Sequence, residues 1–178
     1  GPITGLDPKG GPWGRGYAKS TFDVKSDTWF FDGHFHNDPC MPGTLMFDGC
    51  LQLMSFYLAA LGYTVRRDGW RFEPTPDMPF QLSCRGQVTP SSNVLTYELF
   101  VEELHDGPNP RLIADMLCTI DGLKGFHARR VSIDLVPGWP LDEFNDDTSC
   151  DPLERHPSLG YLSSDYVEPK PVADDGNG

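Results

Sequence analysis

The sequence predicts an α+β fold in which an antiparallel sheet wraps around one long buried helix. Two observations carry this expectation. Residues 44–61 (TLMFDGCLQLMSFYLAAL) are apolar at 13 of 18 positions and contain no proline, enough for a helix of roughly 27 Å at 1.5 Å per residue. Beyond it, apolar residues recur with a period of two in four successive runs, separated by turn-forming residues, which is the pattern of half-buried strands. Short strands joined by tight turns form an antiparallel meander. The single apolar face of such a sheet needs a cover, and the helix is the element available to provide it.

Taken in order, residues 1–16 hold six glycines and three prolines, a composition that predicts an irregular lead-in. Gly1-Pro2, with no initiator Met, resembles a protease-cleavage scar and is set aside from the fold. Strands are expected at 17–24 and 28–31. The long helix has Pro42 at its start and Gly62 at its end, both suited to those places. Its apolar residues lie nearly all round, which predicts a helix buried inside the domain. Asp48 and Gln52 near its middle speak against a transmembrane span.

The strands that follow place Leu82, Cys84 and Val88 on one face, then Leu95, Tyr97, Leu99 and Val101. Next come Leu112, Ala114, Met116, Cys118 and Ile120, and last Val131, Ile133 and Leu135. The turns between them are Thr89–Asn93, Asp106–Pro110 and Asp121–Gly125. Residues 142–178 contain ten acidic and two basic residues and four prolines, which predicts a mostly irregular acidic tail. The expected organisation is therefore a lead-in at 1–16, a folded domain at 17–141 and a tail at 142–178.

The net charge of -12 argues against a nucleic-acid partner and against an anionic membrane surface. Two-thirds of it belongs to the tail. Residues 1–141 carry 12 basic against 16 acidic residues. The five cysteines, at 40, 50, 84, 118 and 150, form no Cys-x-x-Cys pair, and four lie in apolar runs. They read as free thiols of a reducing, cytoplasmic compartment.

The chemistry concentrates in Trp29-Phe-Phe-Asp-Gly-His-Phe-His-Asn-Asp-Pro-Cys-Met-Pro-Gly-Thr44, which feeds directly into the helix. His34 and His36 lie in this run, Asp48 follows one turn into the helix, and Gln52 sits four residues later on the same face. A carboxyl group in so apolar a helix either caps or pairs within the fold or is held protonated by its surroundings to serve as a general acid. A neutral histidine can supply the matching base near pH 7. The backbone N–H groups of Gly43 and Thr44, at the helix N-terminus, would face developing negative charge. Base, acid and oxyanion donor are the groups needed to take the α-proton of a thioester and expel a β-hydroxyl.

His34-Phe35, Pro39-Cys40-Met41-Pro42-Gly43 and Asp48 match in type and spacing the signature of a known family. The run resembles the β-hydroxyacyl-acyl-carrier-protein dehydratases of the hotdog fold. Asp rather than Glu at 48, with Gln52 beyond it, looks like the β-hydroxydecanoyl dehydratase/isomerase branch. The string His34–Leu45, with Cys84-Arg-Gly-Gln-Val88 downstream, is similar to dehydratase domains of polyunsaturated fatty acid synthases.

The resemblance implies a hotdog fold over about 17–141, with His34 as the base and Asp48 as the acid that meets the departing hydroxyl. It implies that Gln52 supports Asp48 and that Gly43 donates its N–H to the thioester oxygen. It further implies an active site shared between two hotdogs, no metal or organic cofactor, and a substrate carried on the phosphopantetheine arm of an acyl carrier protein. Isomerisation of the double bond is left open. His36 departs from many relatives. On a strand, His34, His36 and Asp38 would share a face as metal ligands can, but the complete motif favours a supporting or rim position for His36 and no metal. Cys40 reads as a small hydrophobe, and His105, His127 and His156 as surface or strand-end residues.

A hotdog thioesterase and a non-catalytic scaffold within a synthase are the competing readings. The Pro-x-Met-Pro-Gly segment disfavours the first, and the intact His34/Asp48 pair disfavours the second. A basic patch for an acidic carrier is expected from among Arg66, Arg67, Arg71, Arg85, Arg129 and Arg130.

Overall fold

The computed structural model describes residues 1–35 and 37–138. The expected tail, with Cys150 and His156, lies outside the described residues, as does His36. The elements are β1 (Ile3–Asp7), β2 (Tyr17–Asp23), α1 (Phe30–Gly33), α2 (Gly43–Ala60), β3 (Arg71–Pro74), β4 (Gln81–Cys84), β5 (Val94–His105), β6 (Arg111–Ile120) and β7 (Leu123–Val136). All strand pairings are antiparallel, in the order β1-β2-β5-β6-β7-β3, with β4 beside β3 on the same edge of β7. Helix α2 packs on β2, β5, β6 and β7. This is the hotdog arrangement of a sheet curved around one helix.

Helix α2 begins behind Pro42, whose extended backbone (φ -55°, ψ 133°) leads into Gly43. It ends in a Schellman motif: Gly62 (φ +89°) donates its N–H to the Ala59 carbonyl, and Tyr63 donates to Leu58. Met46, Cys50, Leu53, Met54, Tyr57 and Leu58 face the sheet and are buried. The opposite side, with Thr44, Asp48, Gln52 and Phe56, is exposed. The expectation of burial all round is corrected accordingly. The sheet covers one side of the helix, and among the described residues the other side stays open.

In β5, Leu95, Tyr97, Leu99 and Val101 are buried in strict alternation, and they meet the inward residues of β6: Tyr97 lies opposite Cys118, Leu99 opposite Met116. The turn between β6 and β7 has two residues, Asp121 (φ +50°) and Gly122 (φ +83°), the type I′ geometry whose twist matches the flanking strands. The Asp121 carboxylate accepts N–H bonds from Asn93 and Val94 and so ties this turn to the start of β5.

Three other expectations are corrected, and one strand lies where none was expected. Residues 1–16 do hold a regular element: β1 pairs with β2, and the Pro2 carbonyl accepts from the Thr21 amide and the Ser20 hydroxyl. Main-chain pairing to an existing edge needs no apolar periodicity, so composition could not reveal it. Residues 28–31 are not a strand. Phe30 and Phe31 are both buried in the single helical turn α1. The run 82–88 is extended only over Gln81–Cys84, where every residue is exposed. Leu82 is 51% exposed and Cys84 is open, while Val88 alone is buried. Finally, β3, unpredicted, forms an edge beside the C-terminal half of β7.

Candidate active site

His34 follows α1 with extended backbone (φ -144°, ψ 105°). Two contacts clamp it to Cys40. The Cys40 N–H donates to the His34 carbonyl at 2.9 Å, and the His34 Nδ1 lies 3.0 Å from the Cys40 carbonyl oxygen. A carbonyl can only accept, so in the neutral imidazole this contact places the proton on Nδ1 and leaves Nε2 with its lone pair. Cys40 is buried, with its Sγ 3.5 Å from the same Nδ1. The next residue, Met41, donates its N–H to the Val88 carbonyl. The segment carrying His34 is thereby anchored to the chain that precedes β5. The ring of His34 also packs on Phe35, at 4.1 Å between centroids.

His34 caps a one-turn helix and Asp38 lies in the turn that follows. No group of three His, Cys, Asp or Glu suited to a metal occurs among the described residues.

Gly43 opens α2, and nothing comes within 4 Å of the position a Cβ would take there. Among the described residues its N–H and that of Thr44 have no hydrogen-bond partner, as the first turn of a helix leaves them. One turn on, Gln52 Nε2 donates to Asp48 Oδ2 at 2.6 Å, the contact their i, i+4 spacing predicts. Both side chains are exposed. The burial expected around Asp48 is not found among the described residues.

Asp48 and Gln52 stand between two hollows. The larger, about 600 Å³, is walled by apolar side chains such as Phe22, Phe30, Leu45, Leu53 and Phe56, with Tyr97 also lining it. The smaller, about 330 Å³, lies toward β3 and β7 and includes Leu51, Phe72 and Pro74. His34 lines neither. The structure therefore brings Asp48 to Gln52 and His34 to Cys40, but it does not place the two pairs in one cavity of a single chain.

Sequence reasoning assigns Tyr97 to the core alone and misses its place at the site. The one signal for it is the isolated Gly49 within the apolar helix, which marks a close approach. A Cβ at Gly49 would stand 2.7 Å from the Tyr97 ring. Burial, the thiols of Cys118 and Cys50 and the Asp48 carboxylate together push the Tyr97 phenol well above its ordinary value, so it stays neutral.

The arginines expected to form a basic patch are largely engaged within the chain. Arg71 pairs with Glu73, Arg129 with Asp115, and Arg130 with Glu102 and Glu103. Arg67 donates to the Tyr63 carbonyl and lies over the Trp70 ring.

The family model described as a FabA-like domain matches residues 2–129. The chain belongs to the FabA-like family. It is 32% identical over 123 residues to a polyunsaturated fatty acid synthase polypeptide of a Thraustochytrium species, a match that covers 67% of this chain and 8% of that protein. The chain thus spans only a small part of its relative's length. Among solved structures, the dehydratase heterocomplex ApeI:P from Xenorhabdus doucetiae superposes with a TM-score of 0.53 at 10% identity, over 74% of this chain and 82% of that one. A hypothetical thioesterase protein with coenzyme A from Streptococcus pneumoniae gives 0.47 at 13% identity, over 77% and 86%. The FabA-like match begins at residue 2, inside the segment whose composition predicts a lead-in, in keeping with the pairing of β1 to the sheet.

Proposed function

We propose that this FabA-like domain is a dehydratase that removes water from 3-hydroxyacyl thioesters to give trans-2-enoyl thioesters. Its substrate would be carried on the phosphopantetheine arm of an acyl carrier protein, within a synthase that builds fatty acid or polyketide-type chains. The observation that carries this reading is the His34 imidazole, its Nδ1 proton committed to the Cys40 carbonyl and its Nε2 free to act as a base.

In the reaction, Nε2 of His34 takes the α-proton. The electron pair left on the α-carbon forms the Cα=Cβ bond as the Cβ–O bond breaks, and Asp48 in its acid form gives its proton to the departing hydroxyl, which leaves as water. Return of one proton from the imidazolium to the Asp48 carboxylate resets the site. No electrons are exchanged with a third group, so the scheme asks for no redox cofactor. Negative charge building on the thioester oxygen is met by the N–H groups of Gly43 and Thr44, strengthened by the helix dipole. Gln52 holds the carboxyl group of Asp48 in place.

A second hotdog completes this site. Asp48 is exposed in the single chain, and the same side of α2 carries the exposed, apolar Phe56. The strand β3, paired on one side to β7, forms an edge beside the hollow that Asp48 and Gln52 share with Phe72 and Pro74. A partner laid over this side would dry Asp48 and present its own His34. Incubation with carrier-bound or pantetheine-bound 3-hydroxyacyl chains tests the reading. A dehydratase yields an enoyl thioester with the thiol still bound, a thioesterase releases free thiol, and a scaffold returns the substrate unchanged.

A further inference from the structure

We infer that Tyr97 and Gly49 together set the length of acyl chain that the larger hollow beside Asp48 accepts, an assignment that rests on the reading of this site as one for acyl thioesters. The hollow adjoins Asp48 and Gln52 and is otherwise walled mainly by apolar side chains. An alkyl chain extending from a thioester held at Asp48 is the ligand that such walls fit.

Tyr97 forms the inner limit of this space. It projects from the inward face of β5, is 7% exposed, and reaches the hollow from beneath α2. Its ring occupies the place where a side chain at position 49 would otherwise lie: a Cβ added at Gly49 would overlap both Cζ and Oη, at 2.7 Å. On the protein side of the ring are Cys50 and Cys118, both fully buried; Cys118 is the cross-strand neighbour of Tyr97. The ring is therefore a partition between an open apolar groove and the closed core. Because the phenol is neutral, it faces an alkyl chain without a charge to desolvate. Shortening the side chain at 97 opens the groove inward. A methyl added at 49, a position that itself lines the hollow, takes up space there and displaces the ring.

Two substitutions of opposite sign follow, and a discrimination of about tenfold per step in chain length is within what an apolar pocket supplies. The test measures binding of saturated acyl-pantetheine thioesters of increasing length to the full chain. The wild-type affinity should rise with chain length to a limit. Tyr97→Leu should move that limit to longer chains, improving the first over-length ligand about tenfold. Gly49→Ala should move it to shorter chains, and Tyr97→Phe should leave it in place. Each variant is first checked for native circular dichroism, and either Tyr97→Leu or Gly49→Ala suffices if the other fails to fold. No length limit in the wild type, or a limit unmoved in the folded variants, overturns the inference. The ligands are saturated, so the measurement needs no turnover. A protein that binds the series as described and yet leaves 3-hydroxyacyl thioesters unchanged supports the length-setting role and contradicts the dehydratase reading.

Discussion

The Nδ1 of His34 lies 3.0 Å from the carbonyl oxygen of Cys40, and the Cys40 N–H returns a 2.9 Å bond to the His34 carbonyl. This reciprocal pair closes the loop 34–40 and fixes both the tautomer and the direction of the ring. The Asp48–Gln52 pair, held at 2.6 Å on the open side of α2, lies apart from it in the lining of the hollows, and the proposed mechanism needs the two pairs to meet.

If they meet between two copies, inactive variants should complement each other. Mixing His34→Ala with Asp48→Asn after gentle denaturation and refolding should restore dehydration, because a mixed pair contains one intact site. Each variant refolded alone should stay inactive. Lack of recovery in a mixture that size-exclusion chromatography shows to be paired would place both residues in one chain's site.

Replacing Gln52 by Ala leaves Asp48 without its hydrogen-bond donor. Bonds to charged or strongly polar groups contribute about 1.5–3 kcal/mol when shielded and less when open to water. The expected result is a fall in kcat of about tenfold, with KM nearly unchanged, in steady-state assays.

Much of this was legible in the sequence, and the failures have distinct physical causes. The alternation through Leu95, Tyr97, Leu99 and Val101 was readable because one face of β5 is core and the other is not. The motif from His34 to Gly43 was readable because its chemistry depends on residue types at short spacing. β1 was invisible because an edge strand can be held by main-chain bonds with exposed side chains. The open side of α2 was missed because apolar residues such as Phe56 look the same in a sequence whether their cover comes from the same chain or from elsewhere. Tyr97 at the site was hidden by its regular place in an apolar alternation.

The core should behave as one closely packed unit. Met54 and Leu58 on α2 are fully buried against the sheet. Leu58→Ala should lower stability by about 2–5 kcal/mol, read as a shift in the urea midpoint with little change in slope.

His127 supplies a pH signature unrelated to catalysis. Burial, followed by the positive charges of Lys124 and Arg129, holds its imidazole below the ordinary value of 6.5, against the opposing pull of Asp115. A base whose folded value is depressed favours the native state while it is neutral. Its contribution is therefore complete above 6.5 and is lost as pH falls through the lower folded value. His127→Gln should flatten the part of the stability-pH curve just below 6.5, measured by urea unfolding at a series of pH values.

The central claim is that His34 removes the α-proton of a 3-hydroxyacyl thioester while Asp48 releases the hydroxyl. It is tested most directly by following enoyl thioester formation from a 3-hydroxyacyl-pantetheine substrate with the wild-type chain and with His34→Ala. The account predicts steady formation of the enoyl thioester by the wild type and a loss of about 10²-fold to 10⁴-fold in the variant. Equal rates for the two proteins, or release of free thiol in place of water, would contradict it.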